Sequence, residues 1–335
     1  MKIIHFHRNP QVGFHSIENM YASIRTVLVQ QGVSIRKVRL PFTCKSHLGK
    51  LLNILYTCFF RADVYHMTGD AHYIAMVLPK QKTIISAHSV EGGRKELVGL
   101  KGKLYKYLYF TIPNRHASYW TTVSNFTRQE LIDYIKCDPD KVKIIANPIL
   151  ATFQKSPKIF NASKPVLLQV GTNPRKNIAQ LLRAIKDMNC RLHLVGVPSE
   201  EERHLLTVYN IDHIITPKAS PAAMNTIYEN CDIMVLISVN ESFGMPIIEA
   251  QQVGRVVLAS NVTAMPEIGA DAAIYVDPYD VNSIRMGIEM LISNADLRAN
   301  LIEKGYKNVQ RFDLNQIAQQ YLALYQAIFY AKKSH

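Results

Sequence analysis

The segment Asp232–Ala259 most constrains the fold of this chain, because it reads as strand, loop, helix and strand in succession. Residues 232–238 form a mostly apolar run of strand length, and residues 255–259 form a second one. Between the two runs, Gly244 permits a tight turn. Pro246 suits the first turn of a helix, since its φ is already fixed and it has no N–H to leave unpaired. The pattern therefore predicts a parallel βαβ unit.

Two acids, Glu241 and Glu249, lie eight positions apart across the loop and the helix start of this unit. Ligands of parallel sheets bind beyond the carboxyl ends of the strands, so both carboxylates can face one crevice. The free N–H groups at the helix start between them favour an anion. Carboxylates that accept from sugar hydroxyls, beside a helix end that holds a phosphate, suit a sugar nucleotide. Two unrelated acids, one at a helix start and one on the surface, are the alternative.

A phosphate-binding loop is predicted upstream of these acids. Residues 164–170 read as a strand and lead into Gly171, which is followed by Arg175, Lys176 and a helix to about residue 187. A strand, a glycine turn and two cations ahead of a helix predict a clamp for a diphosphate. Cations at a helix start oppose the helix dipole, and this mismatch favours a binding role over an exposed basic helix start.

The segment 240–250 (NESFGMPIIEA) resembles the Glu-x7-Glu signature of the retaining GT-B glycosyltransferases of family 4, including a Phe-Gly-x-Pro sequence between the two acids. The loop 171–177 is similar to the family's phosphate loop, and residues 260–278 resemble its segment after the second Glu. Residues 121–131 and 141–148 resemble two scaffold segments of the family's N-terminal half. The resemblance implies an α/β chain of GT-B architecture, in which two doubly wound Rossmann-like domains face a central cleft.

The resemblance also implies roles for single residues. Lys176 would hold the donor diphosphate and stabilise the leaving group, and Glu241 would orient the transferred sugar. Glu249 would accept hydrogen bonds from the ribose hydroxyls. The predicted donor-binding set is Gly13, Arg175, Lys176, Glu241, Phe243, Gly244, Met245 and Glu249.

The chain departs from the family's pattern near the phosphates. Many members carry an Arg directly after the phosphate-loop glycine, where this chain has Thr172, and Arg175 is the candidate to replace it. Gly13 stands alone where the first loop of the family has two glycines.

A histidine completes the predicted catalytic set, which is Glu241, His88 and Lys176. His88 resembles a histidine that faces the donor sugar in the family, although Ser89 stands where the family often has an acid. A structural role at the end of a strand is the alternative for His88.

Length and patterning predict two domains. Strand-like and helix-like runs alternate before and after a proline-containing linker at residues 147–164. We expect residues 1–155 to form an acceptor-side Rossmann-like domain and residues 156–313 to form the nucleotide-sugar-binding domain. The family resemblance implies that the last helix, within residues 314–335, packs back on the first domain.

The net charge of +13 lies almost entirely in the first 150 residues, which contain 21 Lys and Arg against nine Asp and Glu. These cations stand next to clustered leucines and aromatic residues, a combination typical of a surface that lies on anionic lipid. A solvated basic face over ordinary core helices is the alternative. The predicted membrane or acceptor surface comprises Arg36, Lys37, Arg39, Lys45, Lys50, Lys101, Lys103 and Lys106.

No apolar run approaches the roughly 20 residues that a membrane-spanning helix needs. The five cysteines are odd in number and have no Cys-x-x-Cys spacing, so we expect reduced thiols and a cytoplasmic protein. Together with the basic surface, this predicts peripheral binding to the anionic inner face of the membrane. We expect no metal and no obligatory cofactor, because Lys176 and helix dipoles can neutralise the donor phosphates.

These features predict a retaining glycosyltransferase that moves a sugar from a UDP- or GDP-sugar to a saccharide or lipid-linked acceptor, in cell-surface polysaccharide or glycolipid synthesis. A nucleotide-sugar 2-epimerase of similar architecture is one alternative, and it would need no acceptor. A basic nucleic-acid-binding protein is another. The chain has no RRM, KH, zinc-finger or helix-turn-helix signature, and the two acids would have no role in binding nucleic acid.

Overall fold

The computed structural model describes residues 1–9, 16–44, 46–90 and 99–331. Gly13 and Lys45, two residues of the predicted binding surfaces, lie outside the described residues. The chain divides into two compact units, each with its own sheet and core. The first comprises Met1–Pro148 and Leu314–His335, and the second comprises Ile149–Asp313.

The division between the units falls before Ile149, seven residues earlier than the expected domain boundary. The intervening segment packs on the second unit. The ring of Phe153 lies edge-on to Tyr228, with centroids 5.5 Å apart. The Gln154 N–H donates to Oδ1 of Asn225 at 3.3 Å. These tertiary contacts join residues 149–155 to the second unit.

The strands and helices alternate along both units. The strands are β1 (Lys2–His7), β2 (Ser34–Arg39), β3 (Val64–Met67), β4 (Thr83–Ala87), β5 (Tyr119–Thr122), β6 (Val142–Ile144), β7 (Val166–Val170), β8 (Arg191–Val195), β9 (His213–Thr216), β10 (Ile233–Leu236), β11 (Val256–Ser260) and β12 (Ile274–Val276). The helices are α1 (Ser16–Gln30), α2 (His47–Thr57), α3 (Leu100–Lys106), α4 (Ile112–His116), α5 (Asn125–Ile135), α6 (Ile178–Ile185), α7 (Glu200–Val208), α8 (Pro221–Asn230), α9 (Met245–Val253), α10 (Met265–Gly269), α11 (Val281–Ser293), α12 (Ala295–Asn308) and α13 (Leu314–Ala331). A wider π-helical turn, Tyr107–Thr111, joins α3 to α4.

Both sheets are six-stranded and parallel. The first has the order β2-β1-β3-β4-β5-β6, and the second has the order β12-β11-β10-β7-β8-β9. In each sheet the first strand in sequence lies inside the sheet, so successive crossovers run outward from it in opposite directions. This is the doubly wound, Rossmann-like arrangement, and it confirms the predicted α/β fold class of two such domains.

Local sequence signals set several helix ends. The Ser124 hydroxyl accepts from the Thr127 N–H at the start of α5. At the start of α7, Ser199 and Glu202 form a reciprocal capping box, in which each side chain accepts from the other residue's N–H. Such caps satisfy backbone donors that have no partner within the helix.

The C-terminal helix α13 belongs to the first unit. It packs beside α1 over one face of the first sheet, where Tyr321 and Tyr325 share a core cluster with Ile24 and Leu28 of α1. The inward face of α1 is formed by Met20, Tyr21, Ile24 and Leu28, which are all buried.

A buried polar layer separates this face of the sheet from the two helices. Its centre is the Ser86 hydroxyl, which receives a hydrogen bond from the Tyr21 hydroxyl at 2.6 Å. Ser86 Oγ also lies 2.7 Å from His66 Nε2 and 2.6 Å from Thr121 Oγ1. The side chains of Ser86, His66 and Tyr21 are thereby tied to one another beneath α1.

Hydrogen bonds within the same layer join α13 to the sheet. The Tyr325 hydroxyl lies 2.8 Å from His66 Nδ1 and 3.0 Å from His5 Nε2. Burial lowers the pKa of His5 and His66 well below the ordinary value for histidine. Both imidazoles are therefore neutral at physiological pH, and each can act as donor through one nitrogen and acceptor through the other.

None of the described helices is both long enough and apolar enough to cross a bilayer. All five cysteines are free thiols.

The buried histidines predict that acid destabilises the first unit. Their pKa values lie below the ordinary value of about 6.5, so the unfolded state binds more protons as the pH falls through that value, and folding stability drops with it. Trp120 is the single tryptophan, and it is buried in β5. We expect the urea midpoint of Trp120 fluorescence to fall steadily from pH 8 to pH 5.

The matched pair His66→Gln and His47→Gln tests the cause, because His66 is buried and His47 is exposed. His66→Gln should lower the midpoint at pH 8 and flatten its pH dependence, whereas His47→Gln should change neither. Equal midpoints at pH 8 and pH 5 in the parent protein would contradict this account.

Candidate functional site

The candidate site of the second unit lies at the carboxyl ends of β7 and β10. These strands are neighbours, and the strand order reverses between them, so the loops that follow them diverge and leave a crevice. The loop after β7 carries Arg175 and Lys176, and the loop after β10 carries Glu241. The sheet topology thus brings together the two segments that the sequence analysis singled out separately.

The loop after β7 turns at Gly171 and makes room there for a lysine. Gly171 has a φ of +84°, and a Cβ on it would lie 3.0 Å from Cε of Lys176. A short 3₁₀ turn, Pro174–Lys176, follows, and the Asn173 side chain caps it by accepting from the Arg175 N–H. The turn directs Lys176 inward, where it is buried, and leaves Arg175 exposed.

An ion pair joins the two loops. The Lys176 ammonium donates to Oε1 of Glu241 at 2.7 Å, and the two side chains are only 11% and 16% exposed. The Ser238 hydroxyl donates to the same oxygen at 2.9 Å. A mostly buried ion pair with an additional hydrogen bond is strongly held, and removal of one partner leaves a buried charge uncompensated.

The backbone of Glu241 is fixed by the loop after β11. The Glu241 N–H donates to Oγ1 of Thr263 at 3.2 Å, and the Ala264 N–H donates to the Glu241 carbonyl at 3.3 Å. Thr263 has a φ of +59°, which is a strained conformation for a β-branched residue. Strain of roughly 1–3 kcal/mol of this kind persists where surrounding contacts hold it, and such positions cluster at functional sites.

Glu249 lies one turn into α9 and is partly exposed. Its Oε2 accepts a hydrogen bond from the Tyr228 hydroxyl at 2.7 Å. Burial raises the pKa of Glu249 to about 7, against the opposing effects of the Tyr228 hydrogen bond and the nearby charge of Lys176. The carboxyl group therefore changes charge near neutral pH.

Asn177 ties the loop after β7 to two other strand ends. Its Nδ2 donates to the Pro278 carbonyl at 2.7 Å and to the Ile237 carbonyl at 3.3 Å. The residue has a φ of +58°, which asparagine tolerates better than most side chains. The side chain of Asn177 does not cap α6, and its partners are 60 and 101 positions away in the sequence, so its role has no local sequence signal.

Three neighbours of Glu241 in the predicted set have different positions. Phe243 is buried, and its ring packs edge-on against that of Phe312, with centroids 5.6 Å apart. Gly244 adopts a φ of +98° at the start of α9, where Ile247 and Leu236 approach it closely. Met245 begins α9 and is partly exposed.

His88 lies in the first unit, beyond the carboxyl end of β4. Its Nε2 is buried and has no hydrogen-bond partner among the residues that the structure describes, and burial lowers the pKa of His88 to about 4. His7 at the end of β1 has the same two features, with a pKa lowered to about 3 by burial. Next to it, Arg8 donates to Glu18 at 3.1 Å and to Asp70 at 2.5 Å. These polar groups lie near the point where strand order reverses in the first sheet.

The predicted basic surface divides between two faces of the first sheet. On β2, Arg36 stacks over Phe60 at 5.2 Å on the side covered by α2. Side chains alternate along a strand, so Lys37 and Arg39 point to the opposite side, where they lower the pKa of His7. The strand pattern of β2 in the sequence is weak, because Val38 is its one buried residue.

The remaining described members of that set lie on two helices. Lys50 is on α2, and Lys101, Lys103 and Lys106 are on α3. The Lys106 ammonium lies 4.8 Å from the ring centre of Tyr134. Among the described residues, no group of three or more His, Cys, Asp or Glu is placed to hold a metal ion.

Comparison with known proteins matches the second unit to a family. Residues 152–308 fit the family model for glycosyl transferases group 1. The O-antigen chain mannosyltransferase B of Escherichia coli is 27% identical over 241 residues, which is 62% of this chain and 60% of that protein. An N-acetylgalactosaminyltransferase of Campylobacter jejuni, named for an N,N'-diacetylbacillosaminyl-diphospho-undecaprenol acceptor, is 29% identical over 102 residues, 30% of this chain and 27% of that protein.

Solved structures share the whole fold. The Anabaena HepE structure in complex with UDP and glucose has a TM-score of 0.76 and 17% identity, and covers 97% of this chain and 99% of its own. The chain spans less than two thirds of the curated relatives' own length. Residues 152–308 therefore carry the pattern of the group 1 glycosyl transferases, on a chain that has the GT-B fold of two Rossmann-like domains.

Proposed function

We propose that this protein is a retaining glycosyltransferase that transfers a sugar from a nucleotide-diphosphate sugar to a saccharide or lipid-linked acceptor. The observation that carries the proposal is the Lys176–Glu241 ion pair at the switch point of the second sheet, with Glu249 close by. The crevice thus offers one cation and two carboxylates. A nucleotide sugar presents the complementary groups, which are a diphosphate and two sets of sugar hydroxyls.

Each of the three side chains has a role in this proposal. The Lys176 ammonium exchanges Glu241 for the donor diphosphate and stabilises the negative charge that grows on the leaving phosphate. Glu241, freed from Lys176, accepts from hydroxyls of the transferred sugar. Glu249 accepts from the ribose hydroxyls. Arg175 remains the candidate for a second phosphate contact, because it is exposed beside Lys176.

The proposed reaction keeps the configuration of the sugar. The bond between the anomeric carbon and the leaving phosphate oxygen breaks, and the acceptor oxygen bonds to the same face of that carbon. The acceptor hydroxyl gives its proton to the departing phosphate. This front-face course is proposed because Glu241 and Glu249 both have binding roles here, and neither is assigned as a covalent nucleophile.

The comparisons support transfer over the two alternatives. The matched family model and both named relatives are transferases, which favours neither a 2-epimerase nor a nucleic-acid-binding protein. The HepE structure holds UDP and glucose, and this supports a nucleotide-sugar donor. The two relatives are named for an O-antigen chain and a diphospho-undecaprenol acceptor, and they support a saccharide or lipid-linked acceptor in cell-surface polysaccharide synthesis.

We further propose that the acceptor reaches the first unit at an anionic membrane surface. The helix α2 of this unit exposes three leucines, while small and polar residues occupy its fully buried positions. Ile54 and Tyr56 of the same helix pack against the core. The buried residues are Gly49, Asn53 and Thr57, and the exposed ones are Leu48, Leu51 and Leu55, followed by Phe59. Exposed fractions reach 67% for Leu48 and 83% for Phe59.

The buried polar side chains of α2 have hydrogen-bond partners. Asn53 accepts from the Phe42 N–H at 3.1 Å and donates to the Phe42 carbonyl and to the Tyr73 hydroxyl, both at 3.0 Å. The Thr57 hydroxyl donates to the Asn53 carbonyl at 2.7 Å. These polar contacts hold Asn53 and Thr57 on the buried side of α2, and the leucines remain exposed.

A second apolar helix adjoins the first. Leu100 is 82% exposed on α3, and Leu104 and Tyr107 are also exposed. The two helices are linked through Tyr109, whose ring lies 5.4 Å from the Lys50 ammonium of α2 and stacks on Tyr105 at 4.5 Å. We call the exposed residues of α2 and α3 the α2–α3 face.

The charge around this face suits anionic lipid. The sequence contains no Asp or Glu between Glu18 and Asp63, or between Glu96 and Glu130. Lysines on both helices flank the exposed leucines, and each cation near an anionic bilayer adds about 1 kcal/mol of attraction. Exposed apolar side chains with flanking cations are the composition of an interfacial helix. The proposed location is thus cytoplasmic, peripheral on the inner face of the membrane.

The donor site predicts a distinct response from each charged residue. We expect a panel of UDP-, GDP- and ADP-sugars to contain one that binds and is hydrolysed slowly, and is transferred when an acceptor is added. Glu249→Gln should weaken its binding, because a hydrogen bond to a charged group contributes roughly 1.5–3 kcal/mol. Calorimetry on the parent protein should also show that its affinity for the nucleotide sugar falls as the pH drops below about 7, because Glu249 gains a proton there.

Lys176→Ala and Arg175→Ala form the matched pair for the phosphate clamp. Lys176→Ala should lower both donor affinity and turnover, and Glu241→Ala should lower mainly turnover. Normal turnover in Lys176→Ala together with loss of turnover in Arg175→Ala would show that Arg175, and not Lys176, holds the diphosphate. A panel in which no nucleotide sugar binds would contradict the proposed function as a whole.

The α2–α3 face predicts salt-sensitive binding to vesicles rich in phosphatidylglycerol and little binding to pure phosphatidylcholine. Added salt should reduce it, since screening acts within about 10 Å at 0.1 M. Replacing Lys101, Lys103 and Lys106 together by Glu should abolish co-sedimentation with the anionic vesicles, with donor binding intact.

A control variant and a second test variant accompany the triple lysine replacement. Lys37→Glu with Arg39→Glu reverses charge on the opposite face of the sheet, and it should leave vesicle binding near that of the parent. Leu48→Ser with Leu51→Ser should weaken binding even at low salt, because the apolar contribution is lost. A triple lysine variant that binds vesicles as well as the parent would refute the proposed surface.

A further inference from the structure

Glu249 has a fixed oxygen and an available one. Its Oε2 accepts from the Tyr228 hydroxyl at 2.7 Å. Among the described residues, none donates a hydrogen bond to its Oε1. One carboxylate oxygen is thus held by the protein, and the other remains for a ligand on the partly exposed side of α9.

Tyr228 is itself immobile. The residue lies on α8 with no exposed surface, and its ring packs edge-on against Phe153. Its carbonyl accepts from Nε of the buried Arg255 at 3.0 Å, and the same guanidinium donates to the next carbonyl, that of Glu229, at 2.7 Å. A side chain held by packing on one side and by an anchored backbone on the other can direct its hydroxyl to one point only.

The Tyr228 hydroxyl donates to the Glu249 carboxyl group, whose pKa lies near neutral pH. Of the described residues, two titratable groups face Glu249, namely Tyr228 on α8 and Lys176 after β7. Burial raises the pKa of Glu249 to about 7, and both neighbours work against that rise. Burial also raises the pKa of Tyr228 well above its ordinary value, so the phenol keeps its proton and remains a donor throughout the working range.

We infer that Tyr228 is a positioning residue of the donor site, whose hydroxyl aims Oε1 of Glu249 at the ribose hydroxyls of the nucleotide. The inference rests on the proposed function, because it takes Glu249 as the ribose-binding group. It adds a residue outside the Glu-x7-Glu segment, thirteen positions before the first Glu of that segment. The hydroxyl both orients the carboxylate and favours its charged form.

The competing explanation is a purely structural one, in which the Tyr228–Glu249 hydrogen bond only joins α8 to α9. The two explanations differ in their pH dependence. A hydrogen bond that only joins α8 to α9 affects folding stability at every pH, whereas a positioning residue shifts the pH at which nucleotide-sugar affinity is lost.

The test measures affinity for the best-binding nucleotide sugar by calorimetry from pH 5.5 to pH 9, in parent protein and Tyr228→Phe. A nucleotide sugar is the right probe because its diphosphate is esterified at both ends, whereas the terminal phosphate of free UDP titrates near pH 6. We expect the midpoint of the affinity loss to move to higher pH in Tyr228→Phe. At pH 9, where Glu249 is charged in both proteins, affinity should still be about fivefold weaker, as for a lost hydrogen bond.

Tyr275→Phe is the matched control. It makes the same chemical change in the same unit and removes a 2.7 Å hydrogen bond from the Tyr275 hydroxyl to the Ala270 carbonyl, away from Glu249. Its affinity and pH midpoint should match those of the parent. Phe153→Leu is a second variant, which loosens the Tyr228 ring without removing the hydroxyl, and it should weaken affinity at pH 9 by a smaller factor.

The outcomes separate this inference from the proposed function. If Glu249→Gln leaves affinity unchanged at every pH, the ribose role of Glu249 fails, and the inference fails with it. If Glu249→Gln weakens binding and removes its pH dependence, while Tyr228→Phe behaves as the parent does, Tyr228 is not a positioning residue and the proposed function stands. An equal loss of affinity in Tyr228→Phe and Tyr275→Phe would also overturn the inference.

Discussion

The ion pair between Lys176 and Glu241 organises the second unit, because it joins the loops that leave the sheet on either side of its switch point. Two unit charges within 4 Å attract by several kcal/mol at the effective dielectric constant of a protein near its surface, and both side chains are mostly buried. Taking one charge away from such a pair costs about 3–5 kcal/mol, since the other is left uncompensated. A ligand that separates the pair must therefore satisfy both partners. A nucleotide sugar does so, because its diphosphate is complementary to the ammonium and its hydroxyls to the carboxylate. The strained backbone of Thr263 supports the same arrangement, since its hydroxyl accepts from the Glu241 N–H.

Much of this arrangement could be predicted from the sequence, and the reason is the regularity of parallel sheets. Buried parallel strands read as apolar runs, and their carboxyl ends share one edge, so residues just after two such runs can be expected near each other. Lys176 and Glu241 are 65 positions apart, yet each directly follows a run of this kind. The same logic failed for β2, an edge strand whose exposed cations hide its alternation. The ring of Phe243, within the same motif as Glu241, is buried, which the motif alone does not indicate.

The residues that hold the site in place were beyond sequence reasoning for a different reason. Tyr228, Thr263 and Asn177 act through a hydroxyl or an amide that meets its partner only after the chain has folded, and their local patterns are those of ordinary helix and turn residues. Tyr228 stands on a helix whose inward face any large side chain could fill. Thr263 occupies a left-handed conformation for which its residue type gives no signal. In physical terms, a strand pattern is a property of neighbours in sequence, whereas a hydrogen bond between α8 and α9 depends on the packing angle of two helices.

Burial shifts the pKa values of carboxyl groups and imidazoles in opposite directions, and a single cause accounts for both. Removing a group from water penalises its charged form, so the pKa of a carboxyl group rises and that of an imidazole falls. Glu249 rises to about 7, whereas His88 falls to about 4 and His7 to about 3. At neutral pH the first unit therefore carries neutral histidines at the ends of β1 and β4. Glu249 differs, because at neutral pH both its charged and its neutral form are present. Small changes in its surroundings, such as the Tyr228 hydroxyl or the charge of Lys176, then decide whether the carboxylate is available to a ligand.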